Sequence, residues 1–506
     1  MSTAPPEAGT LSRETNWWGA FVIGLAGTIL IIGLVGFALV SLGGASIPMF
    51  AILTAVGVVL CFCLAELAAA MPERAGGLPS YAFETFRPLG DSWGKHMGGL
   101  SSWAYWLGWF TVAPINAILA ANYIIALFSI KAGSSHTFGP ISSGFGAQVS
   151  LTQFIVGALI LLVMFIPCLL GIRLGATFAS VLGIASMIPL VLLVLLPFVH
   201  PSKIHGSYLD GFGLPSGVHG SWQLIIGWAF IFTWSVLAME AAACYIGECR
   251  DPARDAKIAM TAEGLFGFFI YVSIPVMVLA VLGTGVISKQ SGDAQELFNS
   301  YTHQLFGTSG FWKWFVGLVL ILALMLSVIN AISGCARGLW QNAHDGVLPR
   351  WFGHVNRHGV PDWAMIFNVV CSTLVLLIGS PLQIYVFSNM GYLFALAVSL
   401  IGYSIYRTRR PDAVRPVRMP NWMNPLAMIL GVGLLAIWAV GGYLSPKYVV
   451  GTNQQWLWYV GLLLLVLYVP LYLWRMAEDK SLGHALYARD AMPADSPLLP
   501  AEHAAE

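Results

Sequence analysis

Glu240 is the carboxylate with the most to explain. It closes the run Phe230-Ile-Phe-Thr-Trp-Ser-Val-Leu-Ala-Met-Glu240, well inside an apolar stretch long enough to cross a bilayer. A charge kept at membrane depth is costly, so such a group either pairs structurally near a surface or binds something. Sequence alone leaves both readings open. As a functional group Glu240 would hold a proton, since a carboxylate withdrawn from water is stable only when neutralised or paired. Just upstream, Thr233, Trp234 and Ser235 place two hydroxyls and an indole near the middle of the same stretch.

A second cluster lies in the first apolar stretch, Gly24-Leu-Ala26-Gly27-Thr28, with Gly33 and Gly36 beyond it. Small residues at these spacings let helices approach closely, and Gly33-Leu-Val-Gly36 reads that way. Around Gly24 to Thr28 an interrupted helix is the alternative. Unwinding frees N–H and C=O groups that are tolerated at membrane depth only beside a cavity or ligand. Half-helix N-termini then attract a carboxylate, and bare carbonyls accept from an ammonium. Gly24, Ala26, Gly27, Thr28, Thr233, Trp234 and Ser235 are accordingly the expected substrate-binding residues, for a zwitterionic amino acid or a related amine. Glu66, Glu248 and Arg337 fall nearer the inner ends of their stretches. There pairing is expected, and Arg337 is a candidate for closing an inner gate beside Glu240 as a coupling group.

Other chemistries find no residues to use. The chain has no H-E-x-x-H, C-x-x-C or G-x-S-x-G, which removes the familiar zinc-protease, redox and serine-hydrolase signatures. Gly90-Asp-Ser-Trp-Gly94-Lys95 is one residue short of a phosphate loop and reads as a turn. Seven cysteines lie in or beside apolar runs, as small buried hydrophobes. The histidines sit in loops, tails or span ends. No metal or other cofactor is expected, and the formal charge of +1 gives no nucleic-acid footprint.

The elements that must carry these residues follow from composition. Of 506 residues 58% are hydrophobic and 9% charged, more apolar surface than a water-soluble fold of this size can cover. Helices of about 20 residues span the roughly 30 Å hydrocarbon core. Twelve are expected, at 18–41, 47–70, 98–128, 151–171, 177–199, 222–247, 261–286, 312–343, 363–380, 384–405, 423–444 and 455–474, giving an all-α integral membrane protein. They group into a tail at 1–17, five helices within 18–199, five within 222–405, two more within 423–474, and a polar tail at 475–506 expected to be disordered. The first stretch lacks a small-residue cleavage site and is expected to stay in the mature chain. With a cytoplasmic N-terminus every arginine sorts to inner loops and tails, while Lys131, Lys203, Lys289, Lys313 and Lys447 sort outside. Both termini are thus expected in the cytoplasm. Two interruptions in corresponding helices of two five-helix halves would be related by inversion, because five is odd.

Three stretches are similar to the amino acid–polyamine–organocation (APC) family of secondary transporters. The first is Ala65-Glu-Leu-Ala-Ala-Ala-Met-Pro72-Glu-Arg-Ala-Gly76-Gly77-Leu-Pro-Ser-Tyr81; the second runs from Glu240 through Gly247-Glu248-Cys-Arg-Asp251-Pro252-Ala-Arg254. The third is Asn330-Ala-Ile-Ser-Gly-Cys-Ala-Arg337 followed by Asp345-Gly346-Val-Leu-Pro349. The resemblance implies a LeuT-type fold, a 5+5 inverted repeat plus two C-terminal helices, with substrate held between broken first and sixth helices. It also implies that Trp234 caps the pocket from outside, where an indole stacks on an amine by cation–π attraction. Trp103, Trp106 and Trp109 share one helix face and offer a wall of which at least two are expected to pack. The family's G-S-G-I signature is missing, Gly24-Leu-Ala-Gly27-Thr28 being the nearest equivalent. The lysine that some relatives carry on the fifth helix is replaced by Ser186, leaving proton binding at Glu240, sodium binding near Ser327 or Ser333, or uncoupled exchange.

The expected activity is alternating-access transport of an amino acid or related amine across the plasma or inner membrane, without covalent chemistry. With Glu240 the sole carboxylate recognised at depth, dicarboxylic substrates are disfavoured and neutral or bulky apolar amino acids preferred over cationic ones. A polyamine or organic-amine exchanger, a ligand-binding sensor without flux and a channel are the competing readings; expected partners are substrate, lipid and H⁺ or Na⁺, with the chain a monomer or homodimer.

Overall fold

The computed structural model describes residues 15–482 except 75, 131–148, 171, 210–211, 215–221, 308–309, 379 and 452–453. Most of the expected N-terminal tail, the chain after 482 and Lys131 lie outside the described residues. In hydrocarbon a backbone can satisfy its polar groups only internally, and the described residues are helical with no strand beyond an isolated bridge between Thr15 and Cys249.

Helix α1 (Trp17–Thr28) starts where the Asn16 side chain accepts from Gly19 N–H at 3.1 Å. Two residues, Ile29 and Leu30, separate it from α2 (Ile31–Leu42), and Gly43, with φ +54°, turns the chain toward α3 (Ser46–Ala70). Gly76 and Gly77 take φ +85° and +66°, conformations open to glycine, before α4 (Leu78–Phe86). There follow α5 (Asp91–Trp109), α6 (Val112–Leu127), α7 (Leu151–Leu169) and α8 (Ile172–Leu195). The second half opens with α9 (Trp222–Val236), which passes through Leu237 into an 11-residue 3-10 segment, Ala238–Glu248. Asp251 caps α10 (Pro252–Ile287), and α11 (Ala294–Phe306) leads to α12 (Gly310–His344), α13 (Asp362–Val375) and α14 (Pro381–Arg409). Last come α15 (Met423–Ala436), prolonged by π turns and a short helix to Val450, then α16 (Trp456–Val466) and α17 (Tyr468–Ser481).

Nine helical runs among the described residues are long and apolar enough to cross a membrane, and two shorter apolar helices cover Gly183–Val199 and Asp362–Ile378. The first run, Trp17–Ala70, contains α1, α2 and α3. Burial sorts the helices. On α7, Ile155, Leu159, Leu162, Val163 and Ile166 share one exposed face, a surface suited to lipid tails. By contrast α9 and α14 are enclosed along most of their length.

Several boundaries differ from the sequence expectation. The first interruption falls at Ile29–Leu30, just after Gly24–Thr28 and not within it; the second is at Leu237, past Thr233–Ser235. The third span is also broken, at Phe110–Thr111. The seventh helix begins at Pro252, well before 261, because Asp251 and Pro252 start it with polar turns that an apolar scan skips. Residues 475–481, expected to be disordered, continue α17: Arg475 and Asp479 pair at 2.9 Å, and Arg350 joins Asp479 at 2.8 Å. Buried charge partners make this last stretch of helix worth ordering.

Candidate functional site

The site forms where α1 crosses the 3-10 segment. Glycine permits the approach: a Cβ on Gly27 would sit 1.9 Å from Ala238 O, and one on Gly24 would meet the Ala242 Cβ at 2.7 Å. Both glycines therefore serve the contact between the interrupted helices. An 11-residue 3-10 stretch is itself unusual, since such turns rarely exceed four residues and mark hinges or strain.

Carbonyls loosened by the interruptions are satisfied by side chains from neighbouring helices. Leu30 N–H reaches back three residues to Gly27 O at 3.2 Å. The Ser327 hydroxyl of α12 donates to Ala26 O at 3.1 Å, and Asn116 of α6 supports that hydroxyl at 3.1 Å. The Tyr271 hydroxyl of α10 lies 2.9 Å from Gly27 O and 2.7 Å from Ser235 O, tying the two broken helices together. Thr233 donates to Phe230 O at 2.7 Å and, with that carbonyl, receives the side-chain amide of Asn389. Of the expected substrate-binding residues, Ala26, Gly27, Thr233 and Ser235 are thus engaged by protein.

Glu240 is different. It is completely buried, and its carboxylate is ringed by aromatic donors: the Tyr392 hydroxyl at 2.9 Å, the Trp109 indole N–H at 3.1 Å and the Tyr105 hydroxyl at 3.1 Å, all to Oε1. Oε2 has only the same Tyr105 hydroxyl, at 3.2 Å. No Lys, Arg or His forms an ion pair with it among the described residues. Tyr105 and Trp109 are one turn apart on α5, so the cage joins α5, the 3-10 segment and α14. Trp103 and Trp106 pack instead: Trp103 donates to Leu464 O at 2.7 Å and stacks on Trp106, which stacks on Phe110.

Trp234 lies against Tyr385, ring centroids 4.5 Å apart. Tyr385 and Tyr392 are two turns apart on one face of α14, roughly 10 Å along the axis. The Trp234–Tyr385 pair therefore forms a second aromatic layer, farther from the arginine-bearing end of the molecule than Glu240.

That end is held by buried ion pairs. Arg337 of α12 grips Glu248 with both nitrogens of one guanidinium edge, Nη2 to Oε2 at 3.4 Å, and donates to Ser333 O at 2.7 Å. Arg74 pairs with Asp345 and, at 3.7 Å, with Glu84. Glu66 accepts from Tyr403 at 2.9 Å and Met419 N–H at 2.8 Å, with Arg407 and Arg415 each at 3.4 Å.

Two groups of functional candidates were not found by sequence reasoning. Tyr105 and Tyr392 have the pattern of packed aromatics until Glu240 is placed between them. Glu263, on α10, is as fully buried as Glu240, so Glu240 is not the sole carboxylate at depth. Starting the seventh helix at 261 put Glu263 at its edge; starting it at Pro252 puts it three turns inside.

A multi-helix membrane permease is the class this architecture defines. Residues 16–468 match the family model described as amino acid permease, and the chain belongs to that family. It is 25% identical over 360 residues to a polyamine transporter of Oryza sativa subsp. japonica, an alignment covering 70% of this chain and 60% of the relative. An uncharacterized transporter of Legionella pneumophila is 24% identical over 443 residues, covering 83% of this chain and 87% of its own. An arginine/ornithine antiporter of Pseudomonas aeruginosa is 26% identical over 340 residues, covering 64% and 62%. The chain thus spans about three-fifths of the length of two of these three relatives.

Proposed function

We propose that this permease is a secondary transporter that carries an amine-bearing solute, a cationic amine or an amino acid held by its ammonium, across the plasma or inner membrane by alternating access. One observation carries the reading: Glu240, fully buried where the interrupted helices cross, has no ion-pair partner among the described residues and is enclosed by Tyr105, Trp109 and Tyr392. A carboxylate inside aromatic walls suits an ammonium, which gains a charge partner and cation–π contact together, the latter worth about 2 kcal/mol when desolvated. The relatives named for polyamines and for arginine and ornithine favour a cationic amine over the neutral apolar substrates expected from sequence alone.

In this reading Glu240 anchors the ammonium through Oε2, which has the fewest protein donors. Trp234 and Tyr385 form the outer lid. Gly24, Ala26, Gly27, Thr28, Thr233 and Ser235 shape the crossing and hold its carbonyls, and a substrate reaches those carbonyls only by displacing Tyr271 or Ser327. Arg337 with Glu248 forms the inner gate. Twelve spans with both termini cytoplasmic, a monomer or homodimer, complete the proposal.

Uptake into proteoliposomes of labelled putrescine, spermidine, arginine and leucine tests it. Saturable uptake with counterflow of at least one amine, lost in Glu240→Gln, is expected. Binding without flux would make the chain a sensor, and unsaturable current a channel. Uptake unchanged in Glu240→Gln would remove Glu240 from the site.

A further inference from the structure

Glu263 lies in a second polar position at the core. It sits on α10, about 16 Å along the helix axis from Pro252. Thr28, the last residue of α1, donates to its Oε1 at 3.2 Å, while Oε2 is buried with no hydrogen-bond partner among the described residues. Cys61 of α3 and Met239 of the 3-10 segment close the surroundings: Cys61 Sγ lies 3.6 Å from Met239 O, and Gly264 and Gly267 beside Glu263 face these two side chains. The titratable groups that interact with Glu263 are Glu240 from the 3-10 segment, Cys61 from α3 and Tyr271 from its own helix. Helices α1 and α2 bring no titratable group, and α8 brings none among its described side chains. No lysine, arginine or histidine pairs with Glu263 among the described residues.

We infer that Glu263 is a proton-binding site that couples to the break in the first helix through Thr28. A buried carboxyl without a counter-cation persists only if it carries a proton or a bound cation. The C-terminal end of α1, with its partial negative charge, faces Glu263 and disfavours a second negative charge there. A sodium ion would need several oxygen ligands. Among the described residues the Thr28 hydroxyl is the one oxygen bonded to the carboxyl, and Ala26 O and Gly27 O already accept from Ser327 and Tyr271. A proton needs a single atom, and Oε2 is that atom.

The step balances simply: the O–H bond forms at Oε2 with a proton from water on one face of the membrane and breaks to water on the other. Ionisation strengthens the acceptor that Thr28 donates to, and protonation relaxes it, so the proton biases the end of α1 next to Ile29–Leu30. Glu240 is left to the substrate. The two carboxyls repel when both are ionised, so a proton on Glu263 eases the ionisation of Glu240 that an ammonium requires.

Two measurements test this on the full chain. Infrared spectra in nanodiscs at neutral pH need no substrate and so stand apart from the amine reading. The band of a protonated carboxyl is expected in the wild type and lost in Glu263→Gln, whereas loss of a carboxylate band instead overturns the inference. In proteoliposomes with putrescine as probe, an imposed pH gradient is expected to drive accumulation in the wild type. In Glu263→Gln that accumulation falls about tenfold, to the level without a gradient, a difference of about 1.4 kcal/mol, while putrescine counterflow persists. Glu263→Asp, which keeps the titratable group, retains part of the drive. Accumulation unchanged in Glu263→Gln, or driven by sodium in place of protons, overturns it.

Discussion

At the scale of single residues the molecule separates two carboxyls by their donors. Glu240 has three aromatic donors and Glu263 one hydroxyl. Since Tyr392 contributes the shortest of the Glu240 contacts, Tyr392→Phe keeps the ring and deletes one hydrogen bond to a charged group, an interaction worth about 1.5–3 kcal/mol. The expected result is a tenfold or greater rise in KM for an amine substrate, measured by initial uptake rates, with the folded yield unchanged. A KM within twofold of wild type would show that Tyr392 only packs. Trp234 gives a different expectation. Trp234→Phe keeps a ring against Tyr385 and should preserve transport, while Trp234→Ala removes the second aromatic layer and should speed release of bound substrate, read as a faster off-rate in filter binding. Equal off-rates in the two variants would deny Trp234 a lid role.

At the scale of helices the two interruptions are held by a few cross-helix hydrogen bonds. Tyr271 alone connects Gly27 O with Ser235 O. Tyr271→Phe removes the hydroxyl that bridges the two carbonyls, a loss of about 1–2 kcal/mol, and should lower the thermal midpoint in detergent. An unchanged midpoint would mean that the breaks hold without the Tyr271 hydroxyl. Gly27→Ala is expected to be harsher, because the new methyl must displace Ala238 O. Much of this scale was legible in sequence. Apolar runs announced the helices, and glycines with small polar residues pointed to the right neighbourhoods for the breaks. The breaks lie a few residues further on because neighbouring helices fix them, Ser327, Asn116 and Tyr271 supplying donors that local sequence does not reveal. For the same reason Tyr105 and Tyr392 stayed hidden: an aromatic on a membrane helix looks the same whether it packs or hydrogen-bonds a distant carboxylate. Helix α11 escaped because it is amphipathic and polar, with no apolar run to find.

For the whole molecule, the arrangement places the candidate site behind a closed arginine-rich end. Arg337–Glu248 and Arg74–Asp345 join the 3-10 segment, the loop before α4 and both ends of the α12 exit. Breaking a buried pair by removing one partner costs about 3–5 kcal/mol because a lone charge stays behind, whereas replacing both by apolar residues can be neutral. Gate and scaffold can therefore be told apart. Arg337→Met combined with Glu248→Leu keeps the space filled and removes only the specific attraction. If the pair is a gate, the double variant keeps its thermal midpoint yet samples an open inner face more often. Cys244 reports this without any added residue: it is buried, with its sulfur 3.2 Å from the Tyr105 hydroxyl and 3.6 Å from Gly76 O, so thiol reagents reach it only when that end opens. A population shift of about 1.4 kcal/mol should raise its labelling rate, followed by mass spectrometry, about tenfold. An unaltered rate together with an unaltered midpoint would leave the pair as scaffold and move the gate to Arg74 and Asp345.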